Sequence, residues 1–159
     1  ARIATFHPGA RSSSRDSPDD YWVPMVDFFG GLGAAGARLG VLVAVENMEE
    51  RPAELITDPR AVARLVDAVG DGRLGLTLDV AHLLFNRKPI DLVGLEAYVR
   101  HVHLHELEDP SFPYKELFRL LKAMDYPYYL SLEETYHEGG ERKVIALYAA
   151  LYREMMAQV

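Results

Sequence analysis

Five short apolar, β-rich runs alternate with longer amphipathic segments along the whole chain, and that order permits few folds. The strand candidates are Ile3–His7, Val41–Glu46, Arg73–Asp79, Tyr98–His103 and Tyr128–Glu133. Between them the pattern predicts helices. Ser17-Pro18-Asp19-Asp20 carries a capping Ser, a Pro at the first helical position and acids in the first turn. That helix should reach about Leu39, with Gly30, Gly31 and Gly33 making a weak middle where it could break. Asp58-Pro59 starts a second helix and Gly70 ends it. A short helix is expected over Asp91–Ala97, then Tyr114–Met124, then Gly140–Met156 with Val144, Leu147, Leu151 and Met155 at helical spacing. Strand and helix in strict alternation imply a parallel sheet with helical crossovers. Two architectures satisfy this: a doubly wound sheet, or part of a (β/α)8 barrel.

The size fits one domain, residues 1–159. With 49% apolar residues the chain can bury a real core. No apolar run reaches the ~18 residues of a membrane span. The formal net charge of −7 disfavours a general nucleic-acid binder. There is no cysteine, which excludes disulfides, thiolate zinc sites and cysteine nucleophiles. That usage agrees with a cytoplasmic location. No G-x-G-x-x-G or G-x-x-x-x-G-K-[ST] is present, so the usual nucleotide-binding sheets lose weight. The chain opens on Ala1, and Arg2 to His7 already reads as a buried strand. The expectation is a chain that begins inside a larger fold.

The positions of the polar residues carry the chemistry. The first strand ends in His7, the second in Glu46, the third in Asp79 and the fifth in Glu133. The fourth ends in His101-Val102-His103-Leu104-His105-Glu106. All fall at carboxyl ends of parallel strands, where α/β folds place their sites. Period two agrees: Thr5 and His7, Ala44 and Glu46, Thr77 and Asp79, His101 and His103, Ser131 and Glu133 share one face. The opposite faces are greasier and would pack under helices. One acid at a strand end is commonly a helix cap; five such ends together point to a site. His137, in a Gly-rich polar stretch, reads as solvated. Tyr126-Pro127-Tyr128-Tyr129 reads as packing beside the last strand rather than as a sugar platform. Carboxylates and imidazoles without thiolates suit Mg²⁺ or Mn²⁺, and imidazole shifts the preference toward Mn²⁺, Co²⁺ or Zn²⁺. Converging carboxylates repel, and a divalent cation resolves that.

The segments Phe6-His7-Pro8-Gly9, Val43-Ala44-Val45-Glu46-Asn47, Gly75-Leu76-Thr77-Leu78-Asp79-Val80-Ala81-His82, Val102-His103-Leu104-His105-Glu106 and Leu130-Ser131-Leu132-Glu133 resemble the xylose isomerase-like TIM-barrel superfamily. That group includes sugar isomerases, ketose 3-epimerases and the endonuclease IV group. The resemblance implies a (β/α)8 barrel of which this chain supplies the last five β-α units. It implies a metal held by Glu46, Asp79, His103 and Glu133, with Mn²⁺ or Mg²⁺ favoured over Zn²⁺ or Co²⁺. His82 and His7 are similar to histidines that touch substrate or metal in branches of the family. Glu106 resembles the acid that follows the ligand histidine. The leading expectation is a metal-dependent sugar or hydroxy-ketone isomerase or epimerase working through an enediolate. Glu46 and Glu133 would be the paired proton-transfer groups, and a small sugar the substrate. One alternative is an endonuclease IV-like phosphodiesterase on abasic DNA, against which stand the acidic balance and the lack of the Asp-x-His that this branch carries after the fourth strand. Another is a catalytically incomplete barrel fragment. Five strands cannot close that barrel and leave two open edges, so a homo-oligomer that completes the barrel is also expected.

Overall fold

The protein is described from a computed structural model, which covers residues 2–70, 72–106, 109–133 and 140–159. His137 and the start of the loop 107–113 lie outside the described residues. The strands are β1 (Ile3–Phe6), β2 (Leu42–Glu46), β3 (Leu74–Asp79), β4 (Val99–Leu104) and β5 (Tyr129–Leu132). The helices are α1 (Trp22–Leu39), α2 (Pro59–Val69), α3 (Val80–Phe85), α4 (Tyr114–Ala123) and α5 (Glu141–Ala157). The strands pair in parallel in chain order, β1 to β5. Sequential parallel neighbours joined by helical crossovers make an arc of a barrel, because a doubly wound sheet would reverse its order partway. The chain therefore forms a partial TIM barrel.

Period two sorts the two faces as expected. Val43, Val45, Leu74, Leu76, Leu78 and Val102 are buried against the helices, where they meet Phe29, Val62, Leu65, Leu117 and Phe118. The inner face carries Thr5, Ala44, Gly75 and Thr77 below, and Glu46, Asp79 and His103 above. The Thr5 and Thr77 hydroxyls lie 3.1 Å apart although β2 runs between their strands. Only a sheet rolled around this face brings them together, and the small Ala44 leaves the room.

Between β3 and β4 the register shifts: Leu76 pairs with Val99, but Thr77 pairs with His101. Arg100 is the extra residue of this bulge. It lies across Gly75, where an added Cβ would stand 2.2 Å from Arg100 Cγ. Its guanidinium sits 5.4 Å from the centre of the Tyr128 ring. The Tyr126–Tyr129 segment thus packs at the foot of β5, the end opposite Glu133.

Three local expectations are corrected. Ser17 caps a single 3-10 turn, Pro18–Tyr21, and the α-helix proper starts at Trp22. That helix does not break at Gly30, Gly31 or Gly33. Its buried side, Met25, Phe29, Gly33 and Gly36, packs inward, and Gly36 approaches β2 so closely that a Cβ would meet Val41 O at 2.6 Å. Tertiary packing overrides weak helix propensity. The helix expected over Asp91–Ala97 is instead a series of turns. Asp91 spends its carboxylate on the Val93 N–H and on Arg60, at 3.1 and 2.6 Å. The short helix lies earlier, at α3, where Asp79 caps it: Oδ1 accepts the His82 N–H at 2.8 Å.

Candidate metal centre

One donor atom each from Glu46, Asp79, His103 and Glu133 fall within 4.8 Å of one another. Each residue closes a different strand of the arc, so the sheet's curvature assembles the group. Burial does most of the positioning: Glu46, Asp79 and His103 are 1%, 0% and 9% exposed. His103 Nδ1 lies 3.6 Å from Glu46 Oε1, 3.7 Å from Asp79 Oδ2 and 3.0 Å from Glu133 Oε2.

Neighbouring backbone locks the centre. The Asn47 side chain donates to Asp79 O and accepts the Asp79 N–H, both at 3.0 Å. This fastens the end of β2 to the end of β3. His82 Nδ1 lies 2.9 Å from Asn47 O and 3.4 Å from Glu46 Oε1. His105 Nε2 lies 2.8 Å from Asp79 Oδ2, and the Tyr114 hydroxyl holds the His105 backbone. Asp79 thus divides its oxygens: one caps a helix, the other faces the histidines.

The electrostatics follow. Burial opposes charge on Asp79, but the His103 and His105 rings and the His82 N–H outweigh it and hold the carboxyl well below the usual range. Burial likewise opposes charge on His103. The surrounding carboxylates of Asp79, Glu46 and Glu133 overcome it and push the imidazole up to about 10. Burial also opposes charge on His105, and Asp79 overrides it in the same way. His101 moves down, through burial and the charge of His103.

The donors fit a divalent cation. Glu46 Oε1 is buried without a hydrogen-bond partner, which is costly unless something satisfies it. An anionic oxygen and an imidazole nitrogen facing one point, with two further carboxylates, form a hard donor set with one borderline ligand.

The residues singled out in the sequence distribute as follows. Glu46, Asp79, His103 and Glu133 converge. His7 is largely exposed, with Nε2 3.6 Å from Glu46 Oε2. Together with His82 and the exposed Glu106 it lines a cavity of about 330 Å³ above the donors. His101 sits one step below His103, the rings edge-on at 5.2 Å. Sequence reasoning placed His105 only within the polar run at the end of the fourth strand, without a role of its own, and assigned none to Asn47. For His105 the signal was there: the alternation of His101 and His103 carries on past the strand. Asn47 offered none, because its role depends on two strand ends meeting.

Parallel strands in chain order, with acidic and imidazole groups gathered at their carboxyl ends, define a partial (β/α) barrel with a candidate metal centre. A family model described as xylose isomerase-like TIM barrel matches residues 1–154. The chain belongs to that family. No curated protein matches it. Among solved structures it is similar to the 3-keto-D-glucoside 4-epimerase YcjR of E. coli, with 18% identity and a TM-score of 0.77 over 95% of this chain and 63% of that one. It is similar to an AP endonuclease, family 2, from Brucella melitensis, with 20% identity and a TM-score of 0.75 over 92% and 60%. A D-tagatose 3-epimerase-like protein aligns at 17% identity and a TM-score of 0.78 over 99% and 64%. These likenesses establish the fold, and the chain spans 60% to 64% of the length of these three proteins. Among the described residues no helix is long and apolar enough to cross a membrane.

Proposed function

We propose that this chain carries the metal-binding part of a divalent-metal-dependent sugar or hydroxy-ketone isomerase or epimerase. The observation that carries the reading is the convergence of Glu46, Asp79, His103 and Glu133 around a buried, unpartnered Glu46 Oε1. Epimerases among the structural neighbours support it. These four residues would hold the cation, Mn²⁺ or Mg²⁺ ahead of Zn²⁺ or Co²⁺. Bound there, it would supply Lewis acidity toward adjacent substrate oxygens.

The protein's own groups then have distinct tasks. Glu46 and Glu133 come from β2 and from the end of β5, so they approach a substrate from different sides. One takes the proton next to the carbonyl, leaving an enediolate, and the other returns a proton to the opposite face. Glu133, the more exposed, has the freer path to substrate. His82 reaches the cavity with Nδ1 donating to Asn47 O, and its other nitrogen can accept from a substrate hydroxyl. His7 and Glu106 offer further contacts at the mouth.

The test is proton exchange. The Mn²⁺-loaded chain, incubated with ketoses in D2O, should place deuterium on the carbon next to the carbonyl, read by NMR. Glu133→Gln should abolish exchange while sugar binding partly survives. Near-normal exchange in that variant removes Glu133 from the mechanism. Two or three tightly held Zn²⁺ per chain, with cleavage of abasic DNA, would replace this reading with the phosphodiesterase one.

A further inference from the structure

Asp79 has a donor on each of its oxygens. Oδ1 accepts the His82 N–H at 2.8 Å, and Oδ2 lies 2.8 Å from His105 Nε2. The first donor is backbone, fixed by the start of α3. The second is a side chain just past the end of β4, in a connection where a residue ordinarily keeps some freedom.

That freedom is removed from below. The His105 N–H donates to the Tyr114 hydroxyl at 2.9 Å, and the same hydroxyl donates to His105 O. Tyr114 is the first residue of α4, is buried, and stacks on Phe112 with ring centres 5.3 Å apart. Aromatic packing at the start of α4 thus fixes the backbone from which the His105 ring reaches Asp79. The bond to Asp79 needs no particular charge on the ring, because Nε2–H donates in one neutral tautomer and in the imidazolium alike. Nε2 also lies 3.6 Å from Glu133 Oε2. His105 therefore stands between a donor of the sheet interior and the donor at its edge.

A carboxylate tied at one oxygen can rotate and turn both oxygens toward one ion. With a donor on each oxygen, rotation breaks one bond or the other, so Asp79 offers a cation a single oxygen. That restriction discriminates between ions. Ca²⁺ gathers about six to eight oxygens and readily takes both from one carboxylate, whereas octahedral ions such as Mg²⁺ and Mn²⁺ are served by single oxygens. We infer that His105 is a positioning residue for the metal centre: acting through Asp79, it holds that carboxylate to one oxygen and sets a preference for Mn²⁺ over Ca²⁺. The inference rests on the metal reading proposed above and adds to it a residue that touches no substrate.

The experiment titrates Ca²⁺ against Mn²⁺ on the full chain, with free Mn²⁺ read from its paramagnetic resonance signal. It compares the parent with His105→Phe, which keeps a ring but no N–H, and with His105→Gln, which keeps an N–H at similar reach. The parent should prefer Mn²⁺. His105→Phe should weaken Mn²⁺ binding about tenfold or more, as loss of a ligand's hydrogen-bond partner does, and leave Ca²⁺ binding unchanged or tighter. His105→Gln should recover most of the preference. Tyr114→Phe, which frees the His105 backbone, should shift the ratio the same way by less. A parent-like Mn²⁺-to-Ca²⁺ ratio in His105→Phe, through no loss or through equal loss of both ions, overturns the inference and leaves the metal centre standing. So does a His105→Gln variant as poor as His105→Phe. Should His105→Phe not fold, as urea unfolding would show, Tyr114→Phe decides, and a parent-like ratio there overturns the inference. If the parent holds neither ion, the metal centre falls and the role of His105 falls with it.

Discussion

The four donors of the centre are held in two different ways. The side chains of Glu46, Asp79 and His103 are 2%, 0% and 11% exposed, and they stand on strands with a neighbour on each side. The Glu133 side chain is 49% exposed and follows β5, an edge strand of the described sheet. Interior strands fix a ligand through backbone on both flanks. An edge strand leaves its ligand one flank and more freedom. Three of the proposed ligands therefore belong to the fold as much as to the site, while the fourth, Glu133, is held chiefly by the site.

Substitutions can break that contrast. Asp79→Ala removes a metal donor, the cap of α3 and the partner of two histidines at once. It should cost about 3–5 kcal/mol in urea unfolding of the metal-free protein, as uncompensated buried charge does, and abolish Mn²⁺ binding. Asn47→Ala leaves the Asp79 backbone N–H and C=O without their partner and should cost about 1–3 kcal/mol. Glu133→Gln should leave metal-free stability within about 0.5 kcal/mol of the parent, yet weaken Mn²⁺ binding. If it destabilises as much as Asp79→Ala, the division between buried and edge ligands is wrong.

Proton competition sharpens the same contrast. His103 is pushed up to about 10 in the metal-free centre, so it carries a proton at neutral pH. A metal needs the unprotonated nitrogen and must displace that proton. Mn²⁺ affinity should therefore rise from about pH 6 to about pH 8 in titrations that measure proton release. A flat profile would mean that His103 is not a ligand. The smallest effect lies on the flank of β5: Tyr129, 54% exposed, should tolerate Ala within about 0.5 kcal/mol in thermal melts.

Much of this was legible in the sequence for a physical reason. Strands covered by helices on one side must alternate, so parity alone puts Glu46, Asp79, His103 and Glu133 on one face. Strand ends shifted by a residue or two, but faces did not. What failed were the features that depend on distant partners. Asp91 looked like a helix start, but Arg60 and the Val93 N–H take its carboxylate. The glycines of α1 looked like a break, but packing against β2 holds the helix. Asp79 could be read as a cap or as a donor, and it is placed for both because its oxygens face different ways.

The bulge at Arg100 acts as a phase correction. Were Arg100 paired in the ladder instead of bulged out, the register that joins Leu76 to Val99 would carry on to set Val102, not His103, beside Asp79. Every histidine of β4 would then turn toward the helices and every valine and leucine beyond it toward the centre. Leaving this one residue out of the ladder, accommodated because Gly75 has no side chain, decides which half of an alternating message is read by the site. Deleting Arg100 would remove the bulge and still leave His101 opposite Thr77 and His103 opposite Asp79, whereas pairing Arg100 in the ladder would turn His103 out of the centre.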